Sequence, residues 1–411
     1  MRFLSISNKK NFEKTGLSPG NMAWGRFRKN KFALGSMLFL SFIFILALLG
    51  YLITPDTTPF ANSQHLELAT QKPGFKVKVL KIKKNVAFEE VSFFRKMLSG
   101  KQNKYELIPV NSIRINKSQL FAEEYTSPEE QEKFIRQFHL VDVVFPIESE
   151  KSIINKGNEY IFKDIQGKKR KTTQEYLKKT VQEELLTQRT FWLGTDRFGR
   201  DMLSRLIIGA RVSLSVGFIS VFISLVIGIT LGSIAGYFRG VIDDIIMWLI
   251  NVVWSIPTLL MVIAITLVIG KGFWQIFIAV GLTMWVEVAR VIRGQVISIR
   301  EKEFVEAARA MGFRNSRIII KHILPNVINP VIIISAANFA SAILIEAGLS
   351  FLGIGVQPPI PSWGTMIKEH YGYILVDMGY LALLPGLAIM FTVLSFTLIG
   401  NGLRDALDTK S

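Results

Sequence analysis

Six apolar runs, each near or above the roughly 20 residues a helix needs to cross a bilayer, constrain this chain more than anything else in it. They cover about 32–53, 212–237, 245–269, 273–292, 326–349 and 380–402. Backbone polar groups in hydrocarbon must be satisfied within their own segment, so the expected fold is an all-α polytopic membrane protein with six transmembrane helices. A cleavable signal peptide competes for the first run. That run is long, however, and lacks a small-x-small cleavage site. With no cysteine in the chain, disulfides, thiolate catalysis and Cys-ligated metals are excluded.

A formal net charge of +17 would suggest nucleic acid in a soluble protein; beside spans, lysine and arginine first mark cytoplasmic flanks. Residues 1–31 carry Lys9, Lys10, Lys14, Arg26, Arg28, Lys29 and Lys31 against a single acid, Glu13. With that end inside, Arg290, Arg293, Arg300, Arg309, Arg314, Arg317 and Lys321 also fall in the cytoplasm. The short outer loops hold only Lys271, and Lys368 against Glu369 and Asp377. The expectation is a multi-pass membrane protein, with a cytoplasmic segment 1–31, a first span 32–53, a tail 404–411 and both termini cytoplasmic.

Residues 54–190 are polar and lysine-rich, and are expected to form a small extracytoplasmic α+β insert between helices one and two. The alternation over 76–84 predicts a strand, 140–147 a second, 127–138 a helix capped by Ser127, and 172–186 another helix. The charge run 167–171 reads as a solvated turn.

Residues 303–325 lie between two apolar runs and are too polar to be a span. Good helix formers fill the first half, and Phe304, Ala308 and Met311 fall on one face. Glu306 and Arg309 are near enough to pair, Gly312 sits where a left-handed C-cap is expected, and Asn315 or Ser316 is placed to cap a second short helix ending at Pro325. Two short helices set at an angle make a knob facing water. The bland alternative is an ordinary polar loop whose glycine ends a helix.

The spacing Glu306-Ala307-Ala308, Gly312, Leu324-Pro325 resembles the coupling loop of binding-protein-dependent ABC importer permeases, with His322 where an apolar residue is usual. A second stretch, residues 191–210, expected to be an outer-face amphipathic segment, resembles the C-type subunit of dipeptide and oligopeptide permeases. Matching positions include Asp196, Gly199, Arg200, Asp201, Arg205 and Arg211. Thr195 or Asp196 is placed to cap a short helix, with Asp201 and Arg205 an i, i+4 pair. These charges either gate the outer mouth or merely anchor a lipid-surface helix. Residues 348–367 also resemble that family, as an ordered loop broken by glycine and proline.

The resemblance implies a type I importer fold at 211–403, with the coupling loop at 301–325. It implies a second homologous permease subunit, two cytoplasmic ATPases holding ATP and Mg, an extracytoplasmic solute-binding protein, and peptides or related small solutes as cargo. Within the spans, Gly228, Gly232 and Gly236 form a small-xxx-small packing face, and Pro257 should kink the third span. Glu287 and Glu346 are the acids nearest membrane depth, and Glu287 either serves function or pairs with Arg290 near the inner end. No P-loop, H-E-x-x-H or G-x-S-x-G occurs, and the histidines are scattered. The expected subunit is therefore not itself an enzyme, binds no cofactor and has no metal site. An ion-coupled secondary carrier is the alternative; it predicts intramembrane ionisable residues and an inverted repeat.

Overall fold

The computed structural model describes residues 19–88, 91–126, 133–270 and 272–408. The chain opens with a short helix α1 (Pro19–Phe27), turns at Asn30, whose side chain accepts the Ala33 amide, and enters α2 (Lys31–Ile53). Phe27 and Ala33 pack against Ala406 near the far end of the chain, and Arg26 donates to the Asp408 carbonyl at 2.9 Å.

The insert follows: β1 (Phe75–Lys83), α3 (Phe93–Ser99), β2 (Tyr105–Asn116), β3 (Gln119–Glu124), β4 (Ile135–His139), α4 (Leu140–Val144), β5 (Ile154–Lys156), β6 (Glu159–Lys163), β7 (Lys169–Thr173), α5 (Gln174–Thr180) and β8 (Leu186–Phe191). One antiparallel sheet runs β4-β3-β2-β1-β8, and β5-β6-β7 form a second. Leu80, Ile82, Val110, Leu120, Leu140, Val144, Tyr160, Phe162 and Leu177 share one core, so the insert buries its own apolar surface.

Three local expectations fail here. Residues 127–132 of the expected helix lie outside the described residues, and its last part, 135–138, belongs to strand β4. The expected strand 140–147 is instead helix α4 over 140–144: His139 Nδ1 accepts the Val141 amide, and Leu140, Val141, Val143 and Val144 are all buried. An element buried on every side shows no period to read. The charge run 167–171 supplies most of β7, whose lysines and arginine sit on an edge strand.

The membrane part comprises α6 (Met202–Phe238), α7 (Gly240–Trp254), α8 (Thr258–Ile269), α9 (Phe273–Arg300), α10 (Glu303–Ala310), α11 (Asn315–Ile318), α12 (Ile328–Leu352), α13 (Trp363–His370) and α14 (Tyr380–Leu407). Among the described residues, five helical stretches are long and apolar enough to cross a membrane, and α7–α8, bent by 93°, brings the number to six when read as one crossing. That bend falls at Ser255-Ile256-Pro257, where proline removes a backbone donor. Against expectation, residues 202–210 are no separate surface helix. They are the first turns of the continuous α6, with no breaker between them and the span. Nor does the second short helix stop at Pro325: a wide turn at 319–323 and a tight turn at 324–327 carry the chain into α12. The proline sits in the first turn of the tight segment, where its missing N–H is tolerated.

Candidate functional site

Two constellations stand out, at opposite ends of the spans. In the first, α10 starts after Lys302 and carries Glu303 and Glu306 in its first turn, where the helix dipole favours acids. It ends as Gly312 takes φ +75° and the Phe313 amide donates back to the Ala308 carbonyl at 3.2 Å. The buried face is not the expected one. Val305 and Ala308 pack with Val296, Ile299, Ile318 and Ile323, leaving Phe304 and Met311 exposed by 43% and 64%. Glu306 and Ala307 face solvent with them.

Tyr237, at the end of α6, fixes the elbow. Its hydroxyl donates to Asn315 Oδ1 at 2.8 Å, and Arg309 lies 5.3 Å above its ring. Arg309 thus lies over Tyr237, with no ion pair to Glu306 among the described residues, and α11 begins after Arg314 without a side-chain cap from Asn315. Leu324 leans on the same core, and Phe313 stacks on His322 at 5.9 Å. The aromatic partner gives the polar His322 a place in an otherwise apolar position.

In the second constellation Asp201, rather than Thr195 or Asp196, caps α6, accepting the Ser204 amide at 2.8 Å and the Ser204 hydroxyl. Its Oδ2 takes both of those bonds, and Arg205 pairs with other carboxylates. Arg205 faces Asp196 Oδ2 at 3.4 Å and Glu369 Oε2 at 3.2 Å. Arg200 completes the square, at 2.6 Å from Asp196 and 2.8 Å from Glu369. Asp196, Arg200 and Arg205 are at most 2% exposed and Glu369 is partly buried, so two guanidiniums and two carboxylates compensate one another largely away from water.

Asp196, Glu369 and His370 bring donor atoms within 4.8 Å of one another, a spacing that suits a cation. Both carboxylates, however, already carry arginines, so the arrangement is an ion-pair knot. His370 is buried and holds the Met366 carbonyl at 2.7 Å; burial pushes its pKa down. Sequence reading missed the roles of Glu369 and His370, because nothing local ties α13 to residues 196–205.

The loop 62–72 lies directly over this knot. A Cβ on Gly199 would fall 1.7 Å from the His65 carbonyl, and one on Gly194 2.2 Å from that of Gln71, so both turns require glycine. Burial, then the positive charge of Arg189, lowers the His65 pKa to about 4. Arg211 stands apart, donating to the Met97 carbonyl at 3.0 Å with Tyr51 beneath it.

Between the two ends, α6 lies along α9. A Cβ on Gly228 would approach Val288 Cβ to 2.5 Å, one on Gly232 the Ala289 carbonyl to 2.4 Å, and one on Gly236 the Arg293 carbonyl to 2.8 Å. Glu346 is fully buried, receiving the Ser350 hydroxyl at 2.7 Å and that of Ser213 at 3.4 Å.

Residues 228–411 match the family described as binding-protein-dependent transport system inner membrane component, and 18–73 the N-terminal TM domain of oligopeptide transport permease C. The dipeptide transport system permease protein DppC of Alkalihalophilus pseudofirmus is 44% identical over 219 residues, 53% of this chain and 72% of that protein. Over the same shares, the glutathione transport system permease protein GsiD of Pectobacterium atrosepticum is 40% identical and the oligopeptide transport system permease protein OppC of Bacillus subtilis 39%. A solved structure of the MetNI methionine ABC transporter overlaps 50% of this chain and 97% of its own at 20% identity and TM-score 0.42.

Proposed function

Because the chain belongs to the dipeptide/oligopeptide family of ABC importer permeases, inner membrane components of binding-protein-dependent transport systems, we propose that it forms half of a translocation pathway for peptides or related small solutes. It would pair with a second homologous permease, two cytoplasmic ATPases that supply ATP and Mg, and an extracytoplasmic solute-binding protein. Family membership favours this over an ion-coupled carrier and makes the subunit a permease rather than the ATPase.

The observation that carries the coupling role is the elbow of α10 and α11. Exposed Phe304 and Met311 beside Glu306 give it an apolar tip with a charged rim, the composition of a docking surface. Gly312 and Tyr237 hold its angle, so a push on the tip moves α9, α11 and α12 together. Closure of two ATPases on ATP would draw two such elbows together and open the cavity between the permeases outward; hydrolysis would reset it. The arginines near the elbow favour its cytoplasmic placement, and α1 against the end of α14 favours a shared side for both chain ends. On that orientation the insert 54–190 and the charged knot face the solute-binding protein, with the knot bracing the outer mouth.

The test is to assemble the complex with Gly312→Val or Glu306→Ala and confirm normal membrane abundance. A β-branched side chain at φ +75° is strained by about 1–2 kcal/mol or more, so the second helix should swing out of line. ATPase co-purification and ATP-driven uptake should each fall about tenfold, the scale of one lost anchor at a docking interface. Wild-type assembly and uptake in both variants would remove the coupling role.

A further inference from the structure

The break between α7 and α8 opens a cavity of about 330 Å³ in the spans, lined among others by Trp254, Thr258, Met261, Thr283, Glu287 and Ser341. Glu287 lies at the middle of the 28-residue α9, not at its inner end, and its side chain is exposed to this space. Two other acids of the spans, Asp243 and Glu346, are already engaged. Asp243 holds Arg293 through two bonds of 2.6 Å, and Glu346 is buried among hydroxyls.

Glu287 forms no ion pair among the described residues. Arg290, its expected partner, instead lies 3.5 Å above the Trp254 ring. A carboxylate that faces a cavity at mid-span without an ion pair attracts a cation. The hydroxyls of Thr258, Thr283 and Ser341 add oxygen acceptors around it.

We infer that Glu287 is the station at which this permease receives a cationic group of its cargo, an ammonium or guanidinium, in transit. This rests on the importer reading above.

The test uses the complete importer in proteoliposomes and two tripeptides of equal length, one lysine-bearing and one glutamate-bearing, with the same binding protein throughout. Glu287→Gln should lower ATP-driven uptake of the lysyl peptide about tenfold relative to the glutamyl peptide, the scale of one lost charge-assisted contact. Glu287→Asp should keep most of the wild-type preference, and ATPase co-purification should be normal in both. An unchanged uptake ratio in Glu287→Gln, or equal loss of both peptides, would overturn the assignment while wild-type uptake leaves the importer reading intact. A wild-type complex that takes up neither peptide with ATP would overturn the importer reading, and this inference with it.

Discussion

Arg205, in the first turn of α6, meets Glu369 of α13 at 3.2 Å although 164 residues separate them. Arg200 reaches the same carboxylate oxygen, so three elements are tied at one atom: the loop before α6, α6 itself and α13. The bond is too buried to be a surface ornament, and its partners are too distant to be a local cap.

Removing Glu369 should therefore be costly. Glu369→Gln leaves two buried guanidiniums against one carboxylate, a loss of about 3–5 kcal/mol for an uncompensated buried charge. The purified chain should melt well below wild type in detergent. Adding Arg205→Met to it should recover part of the loss, since replacing a buried pair by apolar groups costs less than breaking it. A melt unmoved by Glu369→Gln would show the knot to be energetically idle.

The α6–α9 contact makes a sharper steric prediction. Gly232→Val should force the helices apart, because even a Cβ would meet the Ala289 carbonyl at 2.4 Å, and overpacking of this kind costs about 1–3 kcal/mol. Gly386→Val in α14, where a Cβ meets nothing within 4 Å, is the matched control. Equal thermal stability of the two variants would contradict close packing at Gly232.

His65 gives the pH dependence. Its folded pKa of about 4 lies below the roughly 6.5 of an unfolded chain, so between those values the unfolded loop binds more protons. Stability of the 62–72 loop over residues 194–200 is complete above about pH 6.5 and falls as the pH drops toward 4. Limited proteolysis of this loop from pH 7 to 4.5 should accelerate, and His65→Asn should flatten the response. His370, lowered by burial in the same direction, contributes a remainder that this variant leaves in place.

Residues that break or interrupt the backbone were the legible ones. Pro257 marked the bend between α7 and α8, and Gly312 the left-handed turn of the elbow, because each restricts or frees its own φ. Alternation over 76–84 marked β1, but not that its buried face switches. Val77 and Val79 pack with Leu68 and Phe191, whereas Leu80 and Ile82 enter the main insert core. Asp201 and Arg205 had the spacing of a pair, yet the helix cap claimed the first and the distant Glu369 the second. Spacing along a helix states which residues are able to meet; competition from elsewhere in the chain decides whether they do. Phe304 and Met311 carry the same lesson, apolar at helical spacing but turned outward.

The sheeted part of the insert begins and finishes on neighbouring strands, with Phe75 of β1 opposite Phe191 of β8 and their rings 6.4 Å apart. Adjacent strands stand about 5 Å apart, so the host sees the whole excursion as a gap that a tight turn would close. A module with such a footprint can be grafted into a transporter, lengthened or lost while the surrounding spans keep their register. Its sequence then answers chiefly to its own core, and to the helices that carry it only at contacts such as Arg211 with the Met97 carbonyl.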